Sequence, residues 1–180
     1  MQEEKDFILE LLNPKTQNLA FEKLLQQYQK PLYNHIRNIV LNHDDADDVL
    51  QNTFIKVFKY LNKFKGESKL FSWIYRIATN EALTFLKQKA KKNGISSETM
   101  QYKTIDNLKS DTYFDGDEIQ IKLQKAILSL PEKQQLIFRM KYFQELKYEE
   151  ISEILGTTVG GLKASYFHAV KKIEAYVVKD

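Results

Sequence analysis

Residues 148–177 run YEEISEILGTTVGGLKASYFHAVKKIEAYV, the pattern of a helix, a tight turn and a second helix. Ile151, Ile154 and Leu155 fall on one face of the first helix. Gly156 follows them, suited to the left-handed backbone that ends a helix and turns the chain sharply. Thr157 and Thr158 are candidate caps for the next helix, whose inward face is Leu162, Tyr166, Ala169, Val170, Ile173 and Val177. The interval from Ile151 through Gly156 to Leu162 matches a DNA-binding helix-turn-helix. The opposite face carries Gly160, Lys163, Ala164, Phe167, His168, Lys171 and Lys172. Small residues there allow close approach to a duplex, while the helix N-terminal amides and the lysines favour phosphate. A helical hairpin without a ligand would show the same apolar spacing. Residues 119–180 hold 10 basic and 7 acidic side chains, a net +3 that permits nucleic acid without demanding it.

Upstream of this hairpin, Ile119, Leu123, Ala126, Ile127 and Leu130 make one helical stripe, Pro131 punctuates it, and Leu136, Ile137, Met140 and Phe143 make another. Residues 93–118 lack such a stripe and set six acids against two lysines, the composition of a tether. Before it, apolar spacing predicts a helix through Leu19–Leu41 with a kink or break at Pro31. A second helix opens at Asn42, His43 and Asp44, and a third continues from Phe71 to about Lys92. Only 6 Gly and 3 Pro occur in 180 residues, too few for the many turns of an all-β fold. The expected fold class is all-α. It comprises two small helical domains, an N-terminal bundle over 1–92 and a C-terminal helix-turn-helix domain over 119–180, joined by a flexible linker.

Apolar residues make up 43% of the chain and charged residues 28%, as in ordinary globular proteins. With no Cys, a disulfide scaffold, a thiolate zinc site and a cysteine nucleophile are excluded. The start, MQEEKDFILELLNPKTQ, has neither the cationic opening nor the long apolar run of a signal peptide, which predicts a soluble cytoplasmic protein without membrane insertion. His35, His43 and His168 show no metal-ligand spacing, and no nucleophilic triad, phosphate-cradling glycine loop or paired-carboxylate site stands out. The expectation is a protein that is not an enzyme and uses no metal or cofactor.

Two further patterns carry two readings each. Asp44, Asp45, Asp47 and Asp48 sit favourably at a helix N-terminus without any partner, or form an anionic patch that docks on a basic protein surface. In residues 63–92, Lys63, Lys65, Lys69, Arg76, Lys87, Lys89, Lys91 and Lys92 interleave with Phe64, Phe71, Trp73, Tyr75 and Phe85. Such rings either fill the core of a small helical domain or stack on bases of a single strand whose backbone the lysines track. Gly66 marks a turn, so residues 63–68 are expected to form an exposed loop able to hold an unstacked base.

In order and spacing, AFEKLLQQYQKPLY (20–33), DDADDVLQNTFIKVF (44–58), FKGESKLFSWIYRIATNEAL (64–83) and LPEKQQLIFRMKYFQELKYEEISEILGTTVGGLKASYFHAVKKI (130–173) resemble the extracytoplasmic-function sigma factors. These are the two-domain members of the sigma-seventy family of bacterial transcription initiation factors. The resemblance implies a subunit that binds core RNA polymerase and recognises −35 and −10 promoter elements, with an anti-sigma factor as a candidate further partner. It implies polymerase contacts at Asp47, Asp48, Val49, Gln51, Asn52 and Phe54. It implies −10 recognition and melting by Lys63, Phe64, Lys65, Gly66, Glu67, Ser68, Trp73, Arg76, Asn80, Thr84, Lys87 and Lys91. It assigns −35 recognition to Thr158, Val159, Gly160, Lys163, Ala164, Phe167, His168, Lys171 and Lys172. Thr84 and Lys87 stand where the family often carries Asp and Arg, and Gln135 replaces an Arg. The alternative from the residues alone is a stand-alone helix-turn-helix regulator.

Overall fold

Leu70, Ile74, Ala78, Ala82, Leu86 and Ala90, spaced by four, are all buried along one helix, and the N-terminal module is built around that row. Its three alanines let neighbouring helices approach closely. The structure, a computed structural model, describes residues 2–110 and 116–178; residues 111–115 of the acidic tether lie outside the described residues. The order is α1 (Gln2–Leu12), α2 (Gln17–Val40), α3 (His43–Tyr60), a 3-10 turn (Leu61–Lys63), α4 (Leu70–Lys92), α5 (Ser97–Asp106), a second 3-10 turn (Leu108–Ser110), α6 (Glu118–Leu128), α7 (Glu132–Tyr142), α8 (Tyr148–Leu155) and α9 (Val159–Val178). The described residues contain no strand.

Pro31 neither breaks nor ends α2, which runs unbroken for 24 residues with Pro31 inside it. A helix-interior proline costs about 3 kcal/mol. Leu24, Tyr28, Leu32 and Ile36 are buried on either side of it, and each such side chain recovers roughly 1.5–3 kcal/mol. Burial therefore overrides the local preference. At the other end of α2, Leu41 adopts a left-handed backbone with φ 62° and its N–H closes on the Arg37 carbonyl. Burial of the Leu41 side chain holds this unfavourable conformation in place. Asn42 then caps α3, its Oδ1 accepting the Asp45 N–H at 2.9 Å.

The joining segment is more ordered than its composition suggests. Ser96 Oγ accepts the Thr99 N–H and starts α5, whose Ile105 is buried with Leu108, Leu41 and Leu128 in a small apolar cluster. The spacing of Met100, Ile105 and Leu108 is irregular, so no stripe announces this helix.

The two modules pack on each other. Leu136, Ile137 and Met140 of α7, with Ile151 and Ile154 of α8, share one buried cluster with α2, α3 and α4. A second cluster, Ala126, Ile127, Leu130, Phe138, Ala169 and Ile173, holds the C-terminal module together.

Candidate functional site

The turn before α9 is set by two residues. Gly156 takes φ 63°, and its N–H reaches the Ser152 carbonyl. Thr158 caps α9, its carbonyl accepting from Leu162 N at 2.9 Å and its Oγ1 from Gly161 N at 3.2 Å. A Cβ on Gly161 would meet that same Oγ1 at 3.1 Å, so the tight cap favours a glycine. Leu162, Ala169 and Ile173 anchor the inner side of the helix. Thr158, Gly160, Lys163, Ala164, Phe167, His168, Lys171 and Lys172 are all exposed and Val159 is half-buried, so the structure brings the expected −35 residues onto one free face. Phe167 is 53% exposed, and Lys171 Nζ lies 4.5 Å from its ring centroid.

On α3, Asp47, Asp48, Gln51 and Asn52 are exposed together. Asp45 is withdrawn from this group: Lys89 Nζ sits 2.6 Å from both its oxygens and ties the start of α3 to the end of α4. Val49 is 1% exposed and Phe54 9%, so both belong to the core and neither offers a polymerase contact. One turn on, Ile55 is 59% exposed and Phe58 44%, extending the acidic face with an apolar edge. Neither residue is among those that the sequence pattern marks for polymerase contact, and Phe58 continues the apolar stripe of Ala46, Val49, Leu50, Phe54 and Val57. Ile55 lies off the apolar stripe of α3, and that offset was the available signal.

The loop before α4 turns at Gly66, with φ 71°. Lys63, Lys65, Gly66 and Glu67 are exposed and Ser68 is half-buried. Phe64 is 8% exposed, its ring centroid 5.1 Å from that of half-buried Trp73, so Phe64 supports Trp73 and does not itself present a ring to a base. Glu4 of α1 accepts the Leu70 N–H at 3.0 Å and so occupies the N-terminal end of α4. Along α4, Arg76, Asn80, Thr84, Lys87 and Lys91 are exposed at helical spacing.

Part of that α4 face is occupied by the C-terminal module. Arg76 donates from Nε to the Ile154 carbonyl at 3.3 Å and from Nη2 to the Glu153 carbonyl, capping the end of α8. Asn80 lines a cavity shared with Leu136, Ile154 and Gly156, and Lys87 pairs with Glu132 at 3.7 Å. At the heart of the contact, His35 is fully buried, with Nε2 2.8 Å from Thr79 Oγ1 and Nδ1 3.0 Å from the Gln144 side-chain amide. Thr79 Oγ1 also lies 2.7 Å from the Tyr75 carbonyl, and Gln144 Nε2 has no other partner. Turning the Gln144 amide over gives both His35 nitrogens and the Thr79 hydroxyl consistent donor and acceptor roles. The Gln144 N–H donates to Nδ1, Nε2–H donates to Thr79, and the Thr79 hydroxyl donates to Tyr75. Burial pushes the His35 imidazole down to about 4, so it is neutral at physiological pH.

Among the described residues no group of His, Asp or Glu is placed to hold a metal ion, and no helix is long and apolar enough to cross a membrane. The chain matches the family descriptions "Sigma-70 region 2" over residues 24–92 and "Sigma-70, region 4" over residues 120–173. It is 28% identical over 163 residues to the RNA polymerase sigma-H factor of Pseudomonas aeruginosa, covering 86% of this chain and 84% of that one. It is 27% identical over 156 residues to the RNA polymerase sigma factor SigV of Bacillus subtilis, with 87% and 90% covered. Its fold is similar to that of CnrH in complex with the cytosolic domain of CnrY, with a TM-score of 0.69 at 17% identity over 97% of this chain and 98% of the other. It is also similar to the sigma factor RpoE in complex with the anti-sigma factor NepR from Bartonella quintana, with a TM-score of 0.63 at 18% identity over 89% and 98%. An α-helical bundle carrying one of these family regions, and a helix-turn-helix domain carrying the other, make this chain a member of the sigma-70 family, a sigma factor.

Proposed function

We propose that this sigma factor acts in the cytoplasm and divides promoter recognition between two helices. Helix α9 enters the major groove of the −35 element, with Lys163, Lys171 and Lys172 on phosphates and Gly160 and Ala164 allowing close approach. Helix α4 and the loop before it open the −10 region. Trp73 stacks on an unpaired base, the exposed lysines of the loop follow the strand, and Asn80, Thr84 and Lys87 face the bases. The exposed acids of α3, with Ile55 and Phe58, dock on core polymerase. No chemistry is assigned to the chain; the polymerase performs it. What carries this reading is the free face of α9, where every expected contact residue but Val159 is exposed over a buried apolar anchor. A stand-alone regulator would leave the basic and aromatic surface of α4 without a role.

Simultaneous engagement requires the modules to separate. Residues 93–118 span about 70 Å if α5 stays helical and about 85 Å if it melts, against about 70 Å for two turns of duplex. In the packed form Arg76, Asn80 and Lys87 are engaged by the C-terminal module, so we place that form before polymerase binding. An anti-sigma protein would act by holding it. Holoenzyme reconstituted from core polymerase and this chain is expected to render thymines near −10 reactive to permanganate at promoters found by mapping transcription starts. No reactivity at any start site would reject the assignment of α4.

A further inference from the structure

A cavity of about 550 Å³ lies where the two modules and the linker helix meet. Its walls include Ile39 of α2, Leu83 and Leu86 of α4, and Leu128, Leu130 and Leu136 from the α6–α7 region. Its polar lining includes Arg139 of α7, with Lys87 and Lys172 contributed by α4 and α9 and Glu98 and Glu132 by α5 and α7. The charges differ in their surroundings. Glu98, Glu132, Lys87 and Lys172 are all solvent-exposed, and Lys87 and Glu132 already face each other.

Arg139 is only 2% exposed. Its Nη1 donates to Gln124 Oε1 at 2.8 Å, its Nη2 has no hydrogen-bond partner, and no carboxylate pairs with it among the described residues. Burial alone pushes its guanidinium down to about 10, so it stays charged at neutral pH. A buried cation without a counter-charge is costly, and a buried donor without an acceptor adds to that cost. The polar side chains beside it on the cavity wall make no hydrogen bond with it and direct their own donors elsewhere. Gln135 Nε2 already bonds the Leu128 and Leu130 carbonyls, and Ser129 Oγ bonds the Ala126 carbonyl.

We infer that this cavity is a binding site for a small organic anion, its carboxylate or phosphate seated on Arg139 and its apolar body against the leucine walls. The size and the mixture of apolar wall with a few polar groups suit such a ligand. Because α4 and α7 both line the site, it is complete only while the modules are packed. Occupancy therefore favours the packed form and, on the function proposed above, opposes loading onto polymerase.

The direct test needs neither polymerase nor DNA, so its failure leaves the promoter-reading assignment untouched. Phenyl phosphate, benzoate and benzylamine are titrated into the full chain by calorimetry, alongside Arg139→Gln and Ser129→Trp, the second of which fills the cavity from an exposed wall position. Saturable binding of phenyl phosphate or benzoate is expected, weakened at least tenfold by either substitution, with no comparable binding of benzylamine. The relative affinity of the two anions distinguishes a phosphate site from a carboxylate site. Absence of saturable binding by both anions overturns the inference, as does equal binding of benzylamine. Should Arg139→Gln fail to fold, undiminished anion binding by Ser129→Trp overturns it alone.

Discussion

Helices α9 and α4 are the two surfaces proposed to meet nucleic acid, and they are held in opposite states. The α9 face is exposed: Lys163 and Lys171 lie over neighbouring rings, Lys172 only borders the cavity between the modules, and Ala169 and Ile173 anchor the helix within its own module. The α4 face is partly spent on the other module, through Arg76 on α8, Lys87 on Glu132 and the His35 chain beneath. A duplex-reading helix left open meets ordinary double-stranded DNA and gains only weak, salt-sensitive affinity. A strand-capturing helix left open would offer its rings and cations to any unpaired nucleic acid. On the proposed reading, covering α4 and leaving α9 free would restrict the less discriminating of the two activities.

The contrast can be attacked from either side. The largest effect is expected for Lys163→Glu combined with Lys171→Glu. Transcription from a cognate promoter should fall on the order of 100-fold, while core polymerase binding in a pull-down titration is unchanged. Undiminished transcription would remove α9 from the interface. Next, Asp47→Lys with Asp48→Lys should weaken association with core polymerase about tenfold. Val49→Ala should leave that affinity unchanged and lower stability by about 1 kcal/mol, because its side chain is buried. Comparable affinity losses from both changes would return Val49 to the docking surface.

A smaller effect follows from the contact between modules. Gln144→Ala leaves buried His35 short of a partner, at a cost of about 1–3 kcal/mol. It should increase the radius of gyration of the free chain and its binding to a single-stranded −10 oligonucleotide. An unchanged scattering profile would show that the contact does not depend on this chain of hydrogen bonds.

Acid should act at the same place. The His35 imidazole titrates near 4 when buried and near 6.5 when exposed, so the unfolded or opened chain binds the proton first. Its contribution is complete above pH 6.5 and is lost as pH falls toward 4, by on the order of 3 kcal/mol at the limit. Denaturant midpoints between pH 7 and 5 should fall more steeply for the native chain than for His35→Asn; equal slopes would exclude His35 as the cause.

The local features were largely legible in the sequence. Gly156 and Gly66 marked real left-handed turns, Asn42 a real cap, and the stripe from Leu162 to Ile173 a real anchor, because each depends on neighbours within a few positions. The misses depended on distant partners. Pro31 reads as a break until the burial of Leu32 and Ile36 is known. Leu136, Ile137 and Met140 announce that they are buried but not that α2 and α4 help to bury them. Phe64 carries no sign that its ring is taken by Trp73. Helix α5 is too short and too irregular to show a period, and what organises it is Leu41, held left-handed 64 residues before Ile105.

Helix α4 also acts as a ruler. It runs without interruption from Leu70 to Lys92. Trp73, proposed to seize a base, therefore stands about 27 Å from Lys91 along a single rigid rod, at about 1.5 Å for each residue. The two cannot shift independently, so if both touch the opened strand, the protein sets the distance between those contacts, and a promoter of different internal length would have to stretch or bulge to fit it.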